Sequence, residues 1–433
     1  MNALNDSFLS GAHSDVLRLI TAGSVDDGKS TLIGRLLYDS KGVFADQLDA
    51  ISRAKYKRVA EGGIDFALLT DGLEAEREQG ITIDVAYRYF ATPARKFIIA
   101  DAPGHEQYTR NMVTGASTAE VAVILIDASR VHDGVLLPQT RRHSTIAKLL
   151  GIRHIVVAVN KMDLVGWDQA LFEQISQAYR RLADHLGIPV FHILPLSALK
   201  GDNVVTASAQ APWYEGPPLL PLLESLDVAD PGVKGPLRFP VQWVLRHGGD
   251  QASDFRGYGG RLVCGEVRVG DAVTVQPSGE QAHVASIHIH DVRLDRAVAG
   301  DSVVIVLDRD VDVSRGDVLS GSAALAKVAR EFTAEVCWLD QQPLSAQRKY
   351  LLKQGTRLTQ AKVQGVLARR EVLELEQRSD AIESLSMNEI GTVLLRTREA
   401  LAYDLYDECP GTGAFILIDA VTHQTAAAGM LRG

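Results

Sequence analysis

A glycine-bounded loop near the start of the chain ends in lysine and serine: Gly23-Ser24-Val25-Asp26-Asp27-Gly28-Lys29-Ser30. It fits the pattern G-x-x-x-x-G-K-[ST], in which backbone N–H groups and a helix N-terminus face one phosphate group. The apolar run 16–22 before it predicts a strand, and the run 31–37 after it predicts a helix. In that setting Lys29 would reach the β- and γ-phosphates of a nucleotide, and the Ser30 hydroxyl would bind Mg²⁺. A chance glycine-rich turn is the alternative, which the flanking elements disfavour.

Two later segments are candidates for the rest of a phosphate site. In Gly80-Ile81-Thr82-Ile83, the Thr82 hydroxyl and carbonyl would complete the Mg²⁺ shell and touch a γ-phosphate. In Asp101-Ala102-Pro103-Gly104-His105, the carboxylate would hold Mg²⁺ through water and the Gly104 N–H would meet the γ-phosphate. His105 would then orient an attacking water. The alternatives are a threonine that merely starts a strand and a strand-ending turn with a surface histidine.

A second pair of segments predicts which base is bound. Guanine offers donors at N1 and N2, and one carboxylate accepts both, whereas adenine offers no such pair. In Asn160-Lys161-Met162-Asp163, Asp163 would therefore accept from the base, Lys161 would lie along its plane and Asn160 would tie the loop together. A backbone N–H of Ser197-Ala198-Leu199 would meet guanine O6. A polar turn is the alternative for the Asn160–Asp163 segment.

The elements that must position these residues follow the pattern of an α/β layer fold. Strands are predicted at 16–22, 83–90, 96–101, 121–127, 154–160 and 189–196, and helices at 137–150 and 168–186. The charged segment 41–80 interrupts the first strand–helix unit and is interpreted as a functional loop.

Proline- and glycine-rich punctuation at 216–236 predicts a domain boundary near 228–236. Short alternating strands follow, first at Phe239–Leu245, Gly260–Cys264, Asp271–Gln276, Val284–Ile289 and Asp301–Val306. The second set is Ala334–Leu339, Tyr350–Lys353, Gln360–Leu367, Gly391–Leu395 and Ala414–Ile418. We therefore expect a lead-in at 1–15, an α/β domain at 16–228 and all-β barrels at 236–327 and 331–433.

Composition restricts the class of protein. The net charge of −9 disfavours a general nucleic-acid-binding surface. Three widely spaced cysteines are interpreted as buried free thiols in a reducing compartment. The polar N-terminus lacks the apolar core of a signal peptide, and the apolar runs are too short to cross a bilayer, so a cytoplasmic protein is expected.

Particular stretches carry a family resemblance. The segments 75–84 and 101–105 resemble translation-factor GTPases such as elongation factors Tu and 1-alpha, and 312–319 and 413–419 fit the same layout. Elongation factors usually carry histidine where this loop has Asp27. With that aspartate, the loop resembles the GTPase subunit of heterodimeric bacterial sulfate adenylyltransferase (ATP sulfurylase). Further stretches match that subunit, so that the resemblance covers nearly the whole chain: 71–80, 84–90, 105–112, 139–144 and 212–214.

The resemblance implies a fold and an activity. The expected fold is an α/β P-loop GTPase domain followed by two all-β barrels, as in elongation factors. GTP hydrolysis would drive formation of adenosine 5′-phosphosulfate and pyrophosphate from ATP and sulfate. That chemistry would belong to a small catalytic subunit with a pyrophosphatase-type loop, because this sequence has no second phosphate loop and no S-G-G-x-D motif. An adenylylsulfate kinase, fused or separate, is a further expected partner, whereas membrane and nucleic acid are not. The alternative is an elongation-factor-like GTPase that delivers RNA.

The resemblance also assigns roles to residues. The expected ligands are GTP or GDP, Mg²⁺, and a monovalent cation at Asp26, for which a loop hydrogen bond is the alternative. Catalysis is assigned to His105, Lys29 and Thr82, and metal binding to Ser30, Thr82 and Asp101. Nucleotide binding is assigned to Gly23, Ser24, Val25, Asp26, Asp27, Gly28, Lys29, Ser30, Thr31, Asp101, Gly104, Asn160, Lys161, Asp163, Ser197, Ala198 and Leu199. His283, His288 and His290 alternate on one predicted strand, but solvated side chains are favoured over a metal face.

Overall fold

The computed structural model describes most of the chain, in two compact units that divide near residue 228. The described residues are 16–40, 66–69, 84–105, 109–228, 235–247, 255–290, 292–370, 377–378 and 384–432. The predicted lead-in 1–15, most of the charged segment 41–80 and the segment around Thr82 lie outside them.

The first unit is built on a mostly parallel sheet. Its strands are β1 (Val16–Ala22), β2 (Ala86–Ala91), β3 (Lys96–Asp101), β4 (Val121–Asp127), β5 (His154–Asn160) and β6 (Phe191–Pro195). Their order across the sheet is β2-β3-β1-β4-β5-β6, and only the β2–β3 pair is antiparallel among these described pairings. Every residue of β4 is buried, as expected of a central strand that is covered on both faces. The carboxyl ends of β1, β3, β4 and β5 therefore meet along one edge.

Helices cover this sheet. They are α1 (Lys29–Asp39), α2 (Thr109–Ala116), α3 (Pro138–Leu149), α4 (Gln169–Leu186) and α5 (Leu219–Ser225). The α4 sequence shows why these segments are helical. Asp168 caps it by accepting hydrogen bonds from the Ala170 and Leu171 N–H groups, and Gly187 ends it in the left-handed conformation. Between these ends, buried side chains recur three or four residues apart on one face, namely Phe172, Ile175, Tyr179 and Leu182.

The second unit contains two closed antiparallel barrels. The first barrel joins β7 (Arg238–His247), β8 (Phe255–Arg261), β10 (Ala272–Gln276), β11 (Gln281–Ile289), β14 (Ser302–Leu307) and β15 (Val318–Gly321). The pairing of β10 with β11 closes the ring. The short strands β9 (Glu266–Arg268) and β13 (Arg296–Val298) pair with each other, and β12 (Val292–Leu294) extends the sheet beside β11.

The last barrel closes through the pairing of β17 with β18. Its strands are β16 (Lys327–Trp338), β17 (Tyr350–Gln354), β18 (Arg357–Arg370), β20 (Ile390–Tyr403), β21 (Ala414–Asp419) and β22 (Thr425–Leu431), with β19 (Gln377–Arg378) beside β18. A short helix, α6 (Pro410–Gly413), precedes β21. Each barrel has its own apolar core, centred on Phe239 and Tyr258 in the first and on Trp338 and Tyr350 in the second.

The fold class predicted from the sequence is confirmed. In the first unit the predicted strands 16–22, 96–101, 121–127 and 154–160 coincide with β1, β3, β4 and β5. The predicted strand Gly260–Cys264 is wrong, because the strand lies earlier, at Phe255–Arg261. The three glycines of this strand are typical of a turn, which is why the sequence did not predict it. Gly260 is nevertheless required in the strand, because a Cβ at this position would lie 2.5 Å from Pro240 O. The three domain boundaries stay a prediction, and β16 runs through the proposed junction at 328–330.

One buried ion pair joins the two barrels. Arg238, on β7, donates from Nε to Asp404 Oδ2 at 2.7 Å and from Nη2 to Asp404 Oδ1 at 2.8 Å. The Thr412 hydroxyl donates to the same carboxylate at 2.6 Å.

None of the helices that the structure describes is long and apolar enough to span a membrane.

Candidate functional site

The phosphate loop connects β1 to α1, which begins at Lys29. Gly28 has a φ of 92°, in the left-handed region that glycine tolerates best, and a Cβ there would lie 2.4 Å from Asn160 Nδ2. The buried Lys29 Nζ donates to the carbonyl oxygens of Gly23 at 3.1 Å and Ser24 at 2.7 Å. Burial lowers the Lys29 pKa, although nearby carboxylates, Asp27 first, oppose this. The loop therefore presents a lysine that is already held against its own backbone.

Asp27 is the most unusual residue of this loop, because its carboxylate is fully buried. Oδ2 accepts a hydrogen bond from the Ser24 N–H at 2.5 Å, whereas Oδ1 has no hydrogen-bond partner among the described residues. Burial raises the Asp27 pKa to about 6, against the lowering effect of Lys29. An Arg130 guanidinium nitrogen lies 3.9 Å from Oδ1 and also donates to the Val25 carbonyl at 2.9 Å. The loop thus carries a buried acid that burial shifts toward its neutral form.

The segment after β3 lies directly against the phosphate loop. Asp101 is buried at the end of β3, in register with Thr21 of β1, whose hydroxyl lies 3.3 Å from Asp101 Oδ1. A Cβ on Gly104 would lie 2.4 Å from Lys29 Nζ and 2.8 Å from the Ser24 carbonyl carbon, so the approach to the phosphate-loop backbone favours glycine. The His105 side chain is exposed. The structure thus brings Gly104 and Lys29 together, whereas Thr82 lies outside the described residues.

Asn160, at the end of β5, connects the phosphate loop to the segment after β6. Its Nδ2 donates to the Asp27 carbonyl at 2.8 Å, and its Oδ1 accepts from the Ala198 N–H at 2.9 Å. Because the Ala198 N–H is already donated, the neighbouring Leu199 N–H becomes the candidate donor to guanine O6. Arg35 of α1 donates to the carbonyls of both Ala198 and Leu199, which fixes this segment from the other side.

The two charged residues of the predicted base-reading segment, Lys161 and Asp163, differ in environment. Lys161 has a left-handed φ of 62°, and its Nζ lies 2.7 Å from Asp127 Oδ2. Asp163 is half-buried at the second position of a 3₁₀ turn, Met162–Val165. In the segment after β6, the Ser197 hydroxyl accepts from the Lys200 N–H at 3.2 Å, which closes that turn. Lys161 is thus held in place by a buried carboxylate, and Asp163 stands at the start of an accessible turn.

Sequence reasoning missed three residues that support these loops: Asp127, Arg130 and Arg35. Asp127 ends β4 and also accepts from the Ser129 N–H and hydroxyl, at 2.9 and 2.6 Å. Asp127 stands at the end of β4, which lies between β1 and β5, the strands that lead into the phosphate and base loops. The apolar run of β4 marks this strand end in the sequence. For Arg130 and Arg35 the sequence contains no comparable signal, because their partners lie far along the chain.

The donors present suit Mg²⁺ and a nucleotide. Ser30 contributes a hydroxyl at the first turn of α1, and Asp101 contributes a buried carboxylate at the adjacent strand end. Both are hard oxygen donors, which Mg²⁺ prefers, and such sites usually take their remaining ligands from water and phosphate. Among the described residues, no three His, Cys, Asp or Glu side chains are grouped to hold a metal by themselves.

The histidines of β11 and its turn make other contacts. The His283 Nδ1 lies 3.2 Å from Asp308 Oδ2, and His288 Nε2 lies 2.8 Å from the Ser286 hydroxyl. His290 follows the strand with a left-handed φ of 50°. These contacts engage His283 and His288 within the barrel wall.

Comparisons with known proteins agree with this geometry. Residues 14–230 match the elongation factor Tu GTP-binding domain, and residues 331–432 match the GTP-eEF1A C-terminal domain-like family. The first unit is therefore a GTP-binding domain.

Curated relatives resemble the chain over nearly all of its length. Sulfate adenylyltransferase subunit 1 of Laribacter hongkongensis (strain HLHK9) is 51% identical over 421 residues, which are 96% of this chain and 85% of the relative. The same subunit of Bacteroides fragilis (strain YCH46) is 49% identical over 419 residues, 96% of this chain and 86% of the relative. Bifunctional enzyme NodQ of Rhizobium sp. (strain N33) is 50% identical over 431 residues, or 99% of this chain, but the chain spans only 65% of its length. The chain belongs to the sulfate adenylyltransferase subunit 1 family, within the elongation-factor-type GTPases.

Proposed function

We propose that this chain is the GTPase subunit of a sulfate adenylyltransferase. In this proposal GTP hydrolysis on the first unit drives the formation of adenosine 5′-phosphosulfate and pyrophosphate from ATP and sulfate on a partner subunit. The observation that carries it is the double hydrogen bond of Asn160, which links the Asp27 carbonyl of the phosphate loop to the Ala198 N–H of the segment after β6. The similarity to subunit 1 of sulfate adenylyltransferase supports the coupled reaction.

Guanine recognition is assigned to the loops after β5 and β6. The Asp163 carboxylate would accept from guanine N1–H and N2–H, and the Leu199 N–H would donate to O6. Lys161, oriented by the 2.7 Å contact with Asp127, would cover the plane of the base. Since a site built for these donors leaves its own acceptors unpaired when adenine enters, ATP should be rejected.

Phosphate binding is assigned to the loop between β1 and α1. Lys29 Nζ would exchange its bonds with the Gly23 and Ser24 carbonyls for oxygens of the β- and γ-phosphates. Ser30 and Asp101 would hold Mg²⁺, together with Thr82. When bound, Mg²⁺ neutralises charge on the phosphate oxygens. Asp26, exposed at the tip of the loop, is the proposed contact for a monovalent cation.

Hydrolysis requires a water in line with the γ-phosphorus. His105 follows Gly104, whose backbone lies against Lys29, and its imidazole is exposed, so we assign it to the water beside the γ-phosphate. His105 would orient the water; as the water oxygen bonds to the γ-phosphorus, the bond to the β–γ bridging oxygen breaks. Inorganic phosphate and GDP are then the products.

The partner and the direction of coupling follow from the chemistry. The phosphosulfate product contains a mixed anhydride, so its synthesis from ATP and sulfate is strongly uphill and needs a second exergonic reaction. The sequence has one phosphate loop and no pyrophosphatase-type motif, so we assign the ATP chemistry to a small catalytic subunit. An adenylylsulfate kinase, fused or separate, would consume the product. The alternative, an RNA-delivering elongation factor, is not favoured by curated relatives of 48–51% identity that are named as sulfate adenylyltransferase subunits.

Reconstitution tests the proposal. The chain is purified alone and with the pyrophosphatase-loop subunit, and phosphosulfate formation and GTP turnover are measured in each preparation. We expect the chain alone to make no phosphosulfate, and the mixture to make it with increased GTP turnover. Synthesis by the chain alone, or synthesis by the mixture that is indifferent to GTP, would contradict the assignment.

Two variants separate hydrolysis from binding. His105→Ala should keep its GTP affinity and lose roughly 100-fold or more in turnover, the scale of a positioned catalytic group. Ser30→Ala should instead lose Mg²⁺-dependent binding. Normal turnover of His105→Ala with the partner present would mean that another residue orients the water.

A further inference from the structure

A cavity of about 410 Å³ lies on the wall of the last barrel, and its lining residues all come from that barrel. Residues of β17, β18 and β20 and the segment before β17 line it. Four of the lining residues are exposed cations: Lys349, Lys362, Arg396 and Arg398. This concentration of positive charge stands in a chain whose net charge is −9.

Strand register places these cations side by side. Lys362 of β18 is paired directly with Arg396 of β20, and Tyr350 of β17 is paired with Ala361 of β18. Since neighbouring strands are about 4.8 Å apart, Lys349, directly before β17, forms one row with Lys362 of β18 and Arg396 of β20. Alternation along β20 places Arg398 on the same outward face, because Thr397 between the two arginines is buried. Like charges opposite each other destabilise a sheet, so the row has a cost in the free protein.

Neighbouring cations have partners, which these four lack. The Arg348 guanidinium lies 2.6 Å from Asp419 Oδ2 and 2.9 Å from Asp340 Oδ2. Arg357 lies 2.9 Å from Glu399 Oε2 and 3.2 Å from Asp317 Oδ1. Lys349, Lys362, Arg396 and Arg398 have no side-chain hydrogen bond or ion pair with any residue that the structure describes.

We propose that this cavity is a binding site for a small anion that carries two or more phosphate or sulfate groups. Its volume falls within the range of small-molecule pockets, about 300–1,000 Å³. Four cations on one face, without a partner among the described residues, match several charged groups better than a single monoanion. Carboxylates interrupt the positive charge, since Asp419 is in register with Tyr350 and Glu399 follows Arg398, whereas a groove that follows a nucleic-acid strand needs a continuous positive track. The proposal goes beyond the GTPase function and does not depend on it.

Calorimetric titration of the full chain tests the proposal, with inorganic pyrophosphate as the probe. The protein is loaded with GDP so that the phosphate loop is filled, and retention of GDP is checked after the titration. We expect pyrophosphate to bind, and phosphate or sulfate alone to bind more weakly. Lys362→Gln with Arg396→Gln should weaken pyrophosphate binding by about 10- to 100-fold, which is about 1.4–2.7 kcal/mol for the two exposed charges together.

A charge-matched control is available within the same unit. Lys353→Gln with Arg309→Gln removes the same charges from exposed positions outside the cavity and should leave the affinity unchanged. The double variant in the cavity should also melt at the same or a higher temperature without ligand, because it removes like-charge repulsion. A lower melting temperature together with an unchanged pyrophosphate affinity would overturn the proposal.

Further results would overturn it as well. One is the absence of pyrophosphate binding to the GDP-loaded chain at millimolar concentration. Another is equal weakening in the cavity variant and in the control, which would indicate a general charge effect. A third is binding of single-stranded RNA through the same residues without binding of pyrophosphate. That result would show that the patch binds a polymer.

Discussion

Asn160 Nδ2 donates a 2.8 Å hydrogen bond to the backbone carbonyl of Asp27, which lies 133 positions away in the chain. The other end of the same amide accepts from the Ala198 N–H at 2.9 Å. One buried side chain thus couples the loop after β1 to the loops after β5 and β6. In the proposed site, phosphate binding and base binding are therefore linked, since displacement of either loop breaks its hydrogen bond to the shared Asn160 side chain.

Replacement of Asn160 by alanine should weaken both functions together. The substitution leaves the Asp27 carbonyl and the Ala198 N–H without their buried partner, at about 1–3 kcal/mol for each group. We expect the affinity for a fluorescent GDP analogue to fall about 10- to 100-fold, measured by titration. Asn203→Ala is a matched control, because Asn203 is also buried and bonds Pro195 O and Ser208 N in the same unit. Equal loss of affinity in both variants would point to general destabilisation instead of loop coupling.

Base selectivity should depend on Asp163. Asp163→Asn should weaken GTP and improve xanthosine triphosphate, in which an oxygen replaces the N2 amine. A site that matches the donors of its ligand rejects an analogue by up to about 10⁴-fold, so the preference should change by orders of magnitude in competition assays. Asp168→Asn makes the same chemical change five positions away, where an amide still caps α4, and should alter nothing. If the Asp163 variant binds both nucleotides with its original preference, another residue reads the base.

The positions of the loops after β1, β3 and β5 could be predicted because each follows a buried strand whose limits the apolar pattern defines. The ends of β1, β3, β4 and β5 were therefore located without a structure. The Lys161–Asp127 and Arg130–Asp27 contacts could not be, because they join loops after different strands and depend on how the sheet orders them. Spacing in the sequence contains no such information.

The barrels were predicted less accurately than the first unit, for physical reasons. β8 contains three glycines, and β22 is mostly alanine and glycine, so neither displays the alternation of a typical strand. The positions of β8 and β22 are instead fixed by the closed barrels, because each strand has hydrogen-bonded neighbours there. The cavity with four cations likewise depends on the register of Lys362 against Arg396, which no local pattern reveals.

The Arg238–Asp404 pair should contribute to the stability of the two barrels. Asp404→Ala leaves a buried guanidinium uncompensated, which costs about 3–5 kcal/mol. Arg238→Met with Asp404→Leu removes both charges and should be less destabilising than the single change. Asp407→Ala, which removes an exposed partner of Arg432, should cost less than about 1 kcal/mol. Chemical denaturation of the full chain measures all three, and a double variant that is less stable than Asp404→Ala would contradict the buried-charge explanation.

Acid should destabilise the first unit through His143, which is buried in α3. Burial first, and then the charges of Lys29 and Arg142, lower its pKa to about 3. The unfolded chain, with a histidine pKa of about 6.5, therefore binds the proton first on acidification, so the free energy of unfolding falls as the pH drops below that value. Between pH 7.5 and 5 this contribution amounts to about 2 kcal/mol.

His143→Gln should remove this part of the pH dependence, whatever its effect on absolute stability. Urea unfolding of the full chain at pH 7.5 and pH 5 gives the difference for each protein. Asp27, whose raised pKa acts in the opposite direction, is present in both proteins, so its effect cancels in the comparison. His185→Gln, at an exposed position near the end of α4, serves as the control and should retain the wild-type slope. If His143→Gln loses as much stability as the wild type between the two pH values, then His143 is not the group that titrates.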